Sequence, residues 1–414
     1  MGSDVSIARA VESNDPGVIA ELSRVPLVPR KDNLVPRPWG GDLLMQFKGL
    51  TLSDKGPYGE SFEISACPGD PEAHAFPSVV RFSDGSEMPL PRLLAVAGSE
   101  ILGPAFGAGF PLLPKLLDIK EPLSIQGHPP GNIEVYVIIQ ADPGASLRLG
   151  FCRDMPPAML ADRLQSGRAA QHALAEGVGA DLGPADLQRL LAPWLAGRAH
   201  SLSSLPRELR RDALRVPLQA LHDTYWWVLD AMNVIPVEPG QVILNANPAR
   251  VLTPGQRPAA EVHGLGSPGG GEFLALEIRK PGPTLRAWDH GRFPVRPVDA
   301  DAAIEALNLK ATAPADFMVA KRPLGDQPGV ARSVDCDDFC IDHLAVDGQR
   351  ALPVTNDAVH CLHVLSGAVS WVGAHGSCPL RRGEAAIVPP LAGGYRLTTA
   401  SAAEVVKVTP KLGV

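Results

Sequence analysis

Within nine residues, Gln126, His128 and Glu134 offer an amide oxygen, an imidazole and a carboxylate. These are donor types that zinc and other divalent ions accept. In Leu123-Ser124-Ile125-Gln126 apolar and polar residues alternate, which puts Ser124, Gln126 and His128 on one face of a strand. Pro129-Pro130-Gly131-Asn132 breaks that strand and turns the chain. A second strand opens at Glu134, so a hairpin brings Glu134 opposite Gln126 and His128. By spacing alone this reading competes with a commoner one, a hydrogen-bonded histidine beside a turn.

The surrounding pattern says what must hold these groups. Gly59 to Ser65 alternates as a strand, and Glu134 to Phe151 reads as strand, turn, strand. Short helices are expected at 90–94 and at 111–117, the second carrying Lys115. Two prolines and two glycines around Trp39 predict a rigid turn. From 154 to 230 the apolar period changes to that of helices, as in Leu187, Leu190, Leu191, Trp194 and Leu195. Tyr225, Trp226 and Trp227 are expected to pack this helical insertion on the sheet. Strand patterns return at 234–244, 261–266, 272–278 and 284–289. A short helix is expected at 298–310, a linker at 310–332, and an all-β barrel or sandwich at 334–412. The resulting division is 1–153 with 231–310, a helical insertion 154–230, and a β domain 311–414.

Composition narrows the class of protein. The 414 residues are 45% hydrophobic and 20% charged, as in a soluble globular chain. The net charge of -7 argues against a nucleic-acid partner but allows a local basic pocket for an anion. The 42 prolines and 41 glycines favour short strands and turns. No apolar run suits a membrane span, and Met1-Gly2-Ser3-Asp4 lacks a signal-peptide pattern, so a cytoplasmic location is expected. The six cysteines are scattered without zinc-finger spacing and read as free thiols. His360 and His363 have no carboxylate following at a suitable spacing and are set aside as a metal pair.

In order along the chain, the segments resemble type I phosphomannose isomerase. The likeness rests on Pro38-Trp39-Gly40-Gly41, on Tyr58 to Ser65, on Phe110 to Asp118 and above all on Leu123-Ser124-Ile125-Gln126-Gly127-His128-Pro129. Val237-Glu238-Pro239-Gly240 and His263-Gly264-Leu265 with Glu277 extend it over nearly the whole chain. The resemblance implies a mainly β, cupin (jelly-roll) fold with an inserted all-α domain. It implies one Zn2+ per chain, or another divalent metal, on Gln126, His128, Glu134 and His263. It implies catalytic roles for Arg286 and Lys115, with Arg292 as the weaker match to the family arginine, and a sugar phosphate as the small-molecule partner. Trp39, Ser124 and Arg292 are the expected substrate contacts.

Two departures from the family pattern stand out. Only five residues separate His128 from Glu134, where the family has a long loop, and Asn132 occupies the position of a family lysine. The segment from Gln241 to Val262 is longer than the family's short turn.

The implied chemistry is aldose–ketose isomerisation through a cis-enediol, between mannose 6-phosphate and fructose 6-phosphate. It needs a base, charge stabilisation for the enediolate and an anchor for phosphate. Glu277 is either the base or a carboxylate that orients His263. The other classes left open are a cupin with different metal chemistry, acting on another sugar phosphate, and a sugar-phosphate-binding protein without turnover.

Overall fold

The computed structural model describes residues 5–51, 56–198, 201–247, 251–325, 327–348 and 358–411. The Met1–Asp4 stretch read for a signal peptide lies outside them. Among the described residues, no helix is long and apolar enough to cross a membrane.

Two facing sheets hold the centre of the molecule. The first runs in the order Leu34–Gly41, Tyr58–Phe62, Lys115–Ile119, Phe273–Arg279, Glu134–Ala141, Val242–Leu244. The second runs Leu285–Trp288, Ile125–Gly127, His263–Gly264, Ser146–Phe151, Met232–Pro236. Among the described residues, every strand pairing in both sheets is antiparallel.

The two-residue period of a strand decides what faces the gap between the sheets. In the first sheet Leu117, Ile119, Tyr136, Ile138, Phe273 and Ala275 share a core with Leu147 and Leu149 of the second. Their neighbours Leu116, Val135, Val137, Leu274, Leu276 and Ile278 join a different core on the opposite face. The first sheet is therefore buried on both sides. Its register places Glu277 opposite Lys115 on one side and Tyr136 on the other, and Arg279 opposite Glu134. All five are on the face that looks into the gap.

The outer face of the second sheet is covered by helices. Ile125, Phe151, Val262, Ala287 and Trp288 pack with residues of Pro157–Val178, Pro184–Ala196 and Asp212–Asp230. Gly167 permits the close approach, since a Cβ there would lie 2.7 Å from Thr224 and 2.8 Å from Trp288. Of the three aromatic residues expected at this contact, Tyr225 sits edge-on to His290 at 5.3 Å. Trp226 and Trp227 lie only partly buried at the margin of this core, under Arg198 and beside Arg153 and Arg163 respectively. Their faces hold cations rather than the sheet.

Beyond the first sheet, residues 322–410 form a six-stranded and a three-stranded sheet around a core that includes Trp371 and Leu397. This unit also donates Val334, Phe339, Ile341, Cys361, Ile387, Val406 and Val408 to the core under the first sheet. The backbone of Leu27 pairs with Ile387 across the same junction.

Three local expectations are corrected. Residues 111–117 do not form a helix: Lys115–Ile119 is a strand with every residue buried. A strand covered on both faces carries a continuous apolar run, which a periodicity argument cannot tell from a buried helix. The segment around Trp39 is the end of an edge strand, where proline costs no ladder bond. The 310–332 stretch is packed rather than a free linker, because Phe317, on a short 3-10 turn, is fully buried between the sheets.

The shared core yields a stability prediction. Phe339→Ala, at a fully buried position of that core, should cost about 3–5 kcal/mol in denaturant unfolding. A loss below about 1 kcal/mol would mean that this junction contributes no continuous core.

Candidate metal centre and its cavity

The second sheet brings the imidazoles together. His263 pairs directly with Gln126, and Arg286 pairs with Gln126 from the other side. His128 follows two residues after Gln126, and its ring stacks on that of His263 with centroids 5.2 Å apart. Glu134 comes from the facing sheet. Its carboxylate lies 2.7 Å from His128 Nε2 and 3.5 Å from His263 Nε2. Ligating atoms of His128, Glu134 and His263 all lie within 4.8 Å of one another, and all three residues are buried.

Hydrogen bonds settle which ring nitrogen is bare. His128 Nδ1 lies 3.2 Å from the Pro283 carbonyl, and His263 Nδ1 lies 3.1 Å from the Glu261 carbonyl. A carbonyl can only accept, so each Nδ1 carries a proton, and in the neutral ring each Nε2 presents a lone pair to the centre. Burial lowers the His263 pKa to about 4, with Glu134 pulling the other way, which keeps the ring neutral. His128 Nε2 is buried with Glu134 Oε1 as its close polar neighbour. Two ligand atoms on one tetrahedral zinc are about 3.4 Å apart. The His263–Glu134 pair already has that spacing, and the His128–Glu134 pair needs to open by less than about an ångström.

Gln126 completes the set with one adjustment. Its Nε2 donates to His263 Nε2 at 3.1 Å, and Ser124 Oγ donates to its Oε1 at 2.7 Å. Presenting Oε1 to an ion takes a half-turn of the amide. The Ser124 hydroxyl both donates and accepts, so it satisfies either orientation. Glu134 is pinned from behind: Tyr136 Oη donates to Oε2, Asn245 Nδ2 donates to the same oxygen at 3.3 Å, and the Glu134 amide donates to Asn245 Oδ1 at 2.8 Å. Two buried imidazoles around a held carboxylate are donors that fit a divalent ion.

A cavity of about 270 Å³ opens over this centre. Gln126, Glu134, Ser124, Trp39, Lys115 and Glu277 line it, together with Arg286 and Arg292. Trp39 is held against the neighbouring strand at Gly59, where a Cβ would meet its ring at 2.6 Å. Glu277 Oε1 is buried there, 3.3 Å from Arg279 Nε. Burial, helped by Glu134, raises its pKa to about 8 against the pull of Lys115 and Arg279. Because His263 Nδ1 faces Glu261, Glu277 does not orient His263. Lys115 Nζ donates to Glu72 at 2.7 Å and lies over the Phe62 ring. Arg292 is tied to Asp289 and to the Pro122 carbonyl. Among the described residues, the Arg286 guanidinium has no ion-pair or hydrogen-bond partner.

Several residues here escaped the sequence reading. Arg279 is almost fully buried, 3.3 Å from Glu277 and 3.9 Å from Glu134, and it donates to Glu72 at 3.1 Å. Its signal was present: it stands two residues after Glu277, on the same strand face. Glu72, from the short helix Pro71–Ala75, left no such signal. Burial raises its pKa, but Lys115 and Arg279 outweigh that and bring it to about 2. Asn245 ends an apolar strand and carries no mark of its role.

The two departures from the family pattern meet in space. Gly131 N donates to the Pro258 carbonyl, and the Arg257 side chain lies over Gly131. Part of the longer 241–262 segment therefore packs on the shortened His128–Glu134 connection. Asn132 donates to the Pro281 carbonyl at 3.4 Å and is not part of the cavity wall.

Metal loading offers a direct check. Adding zinc or cobalt to metal-stripped protein, at a thousandfold excess over Kd, should stabilise it by about 4 kcal/mol. Thermal unfolding of Glu134→Gln should show most of that gain gone. An equal gain in both proteins would place the ion elsewhere.

No protein-family model and no curated protein matches this chain. Solved structures do. The mannose 6-phosphate isomerase from Bacillus subtilis superposes with a TM-score of 0.63 at 18% identity, covering 92% of this chain and 99% of that one. An arginine-to-alanine variant of phosphomannose isomerase from Salmonella typhimurium gives 0.61 at 15% identity, covering 94% and 99%. A mannose 6-phosphate isomerase bound with zinc and yttrium gives 0.60 at 15%, with the same coverage. Across nearly its whole length, the chain has the mainly β, cupin fold of these isomerases.

Proposed function

We propose that this protein is a metal-dependent aldose–ketose isomerase, interconverting mannose 6-phosphate and fructose 6-phosphate with zinc as the ion. The observation that carries the reading is the juxtaposition in one cavity of the His128–Glu134–His263 group, the unpaired Arg286 and the buried Glu277 carboxylate with its raised pKa. The fold likeness and the relative bound with zinc point the same way.

His128, Glu134, His263 and a turned Gln126 would hold the ion. When bound, such an ion polarises hydroxyl and carbonyl oxygens of the substrate. Glu277 takes the proton from the carbon beside the carbonyl and returns it to the former carbonyl carbon, while the hydroxyl proton passes from the neighbouring oxygen to the carbonyl oxygen, so the substrate gains and loses no proton overall. The buried setting that raises its pKa makes it a stronger base once ionised. Arg286, beside Gln126 and without a competing carboxylate, faces the negative charge that grows on the enediolate oxygens. Lys115 acts through Glu72 and Glu277, keeping charge balanced under the base. Trp39 and Ser124 shape the wall.

A second reading, a sugar-phosphate-binding protein without turnover, draws on Asn132. Its amide is spent on the Pro281 carbonyl, so no cation stands where the resembled family has a lysine.

A coupled assay on mannose 6-phosphate and a panel of aldose phosphates decides between them, with metal content measured in the same sample. Arg286→Ala should lower turnover roughly a hundredfold or more and leave metal content unchanged. Full turnover in that variant removes Arg286 from the reaction. No turnover by the zinc-loaded wild type on any aldose phosphate removes the isomerase reading in favour of the second.

A further inference from the structure

Charge is unevenly distributed along the cavity. Near the metal ligands, the carboxylates of Glu60, Glu72, Glu134 and Glu277 face Arg37, Lys115 and Arg279. Four carboxylates against three cations leave an excess of one negative charge beside the place a divalent ion would take. Around Asp289 the balance reverses: Arg292 and Arg296 both pair with its single carboxylate. Two guanidinium groups against one carboxylate leave one positive charge uncompensated, and Arg286, beside Gln126, adds a second cation to the same cavity. That excess suits a dianion such as a phosphate monoester.

The three arginines are not equivalent. Arg292 is nearly buried, bonded to Asp289 at 2.9 Å and to the Pro122 carbonyl, and its own carbonyl accepts from Gln171 Nε2 at 3.2 Å. It is fixed in the wall. Arg296 is held only by Asp289, at 2.7 Å from Nε and 2.6 Å from Nη2, and its side chain is 49% exposed. Arg296 reaches solvent, whereas Asp289 is buried and keeps Arg292 as a second partner, so Arg296 is the member of this cluster free to exchange. Asp289 is paired twice, so releasing Arg296 leaves its charge still matched by Arg292. Burial and then the nearby charge of Arg296 lower the proton affinity of Arg286, which places the two guanidinium groups in one field.

We propose that Arg296 is the phosphate-anchoring residue of this cavity, exchanging Asp289 for the phosphate monoester of the substrate while Arg292 keeps Asp289 neutralised. The metal end then takes the carbonyl and its neighbouring hydroxyl, and the phosphate lies at the opposite end of a linear sugar. The substrate class rests on the isomerase reading; the anchor itself does not require turnover.

Inorganic phosphate is the probe, titrated calorimetrically into full-length wild type, Arg296→Ala and Arg296→Lys, each metal-stripped and zinc-loaded. KM and kcat on the aldose phosphate are measured on the same zinc-loaded samples. Arg296 is exposed, and unchanged thermal unfolding of its variants verifies their fold. Arg296→Ala should weaken phosphate binding and raise KM by about tenfold or more, with kcat within about threefold. Arg296→Lys should recover part of both. The proposal is overturned if wild type does not bind phosphate, or if Arg296→Ala binds it as tightly as wild type. Phosphate affinity that depends on Arg296 in a protein without turnover supports the anchor and defeats only the isomerase reading.

Discussion

Charge buried between two sheets is the constraint on which this site depends. Lys115, Glu134, Glu277 and Arg279 are each 5% exposed or less. A lone ion at that depth would be strongly unfavourable, and removing one partner from such a set strands the others. The groups are tolerable because they alternate in sign and touch. Glu72 joins Lys115 to Arg279, and Arg279 stands between Glu277 and Glu134. What the set lacks is a positive charge at the bare nitrogens of His128 and His263, where a divalent ion fits.

Such a network needs rigid support, and the first sheet supplies it by being packed on both faces. Its inward residues carry the charges, and its outward residues are locked into the core shared with the 322–410 sheets. A displacement of Glu134 relative to Glu277 would have to carry Val135 and Ile278 with it. The second sheet is held likewise by the helices on its outer face, where Trp288 Nε1 donates to Gln171 at 2.5 Å. Both halves of the centre are thereby backed by packed apolar layers.

The short His128–Glu134 connection shows the same economy. Five residues bridge two facing sheets, and the exposed flank this leaves is covered by the 251–258 stretch, with Arg257 over Gly131. Gly255 N also donates to Asp337 at 2.8 Å, which ties that cover to the 322–410 unit. A loop lost at one place in the chain and a segment gained at another form a single wall.

The sequence by itself determined the class of fold and marked residues of metal-ligating type. Alternation marked Ser124, Gln126 and His128 as one strand face, and a change of apolar period at 154 marked where helices begin, because side-chain direction follows local backbone geometry. Those signals are local, and they fail where burial is two-sided: 111–117 read as a helix because both faces of that strand are apolar. Only the tertiary structure decided how the charges pair. That Arg279 lies between two carboxylates, that Asn245 pins Glu134 and that Glu72 reaches Lys115 all depend on strand register and on contacts over long sequence separations. Pairing of that kind is a property of distance in space, which residue spacing along the chain does not encode.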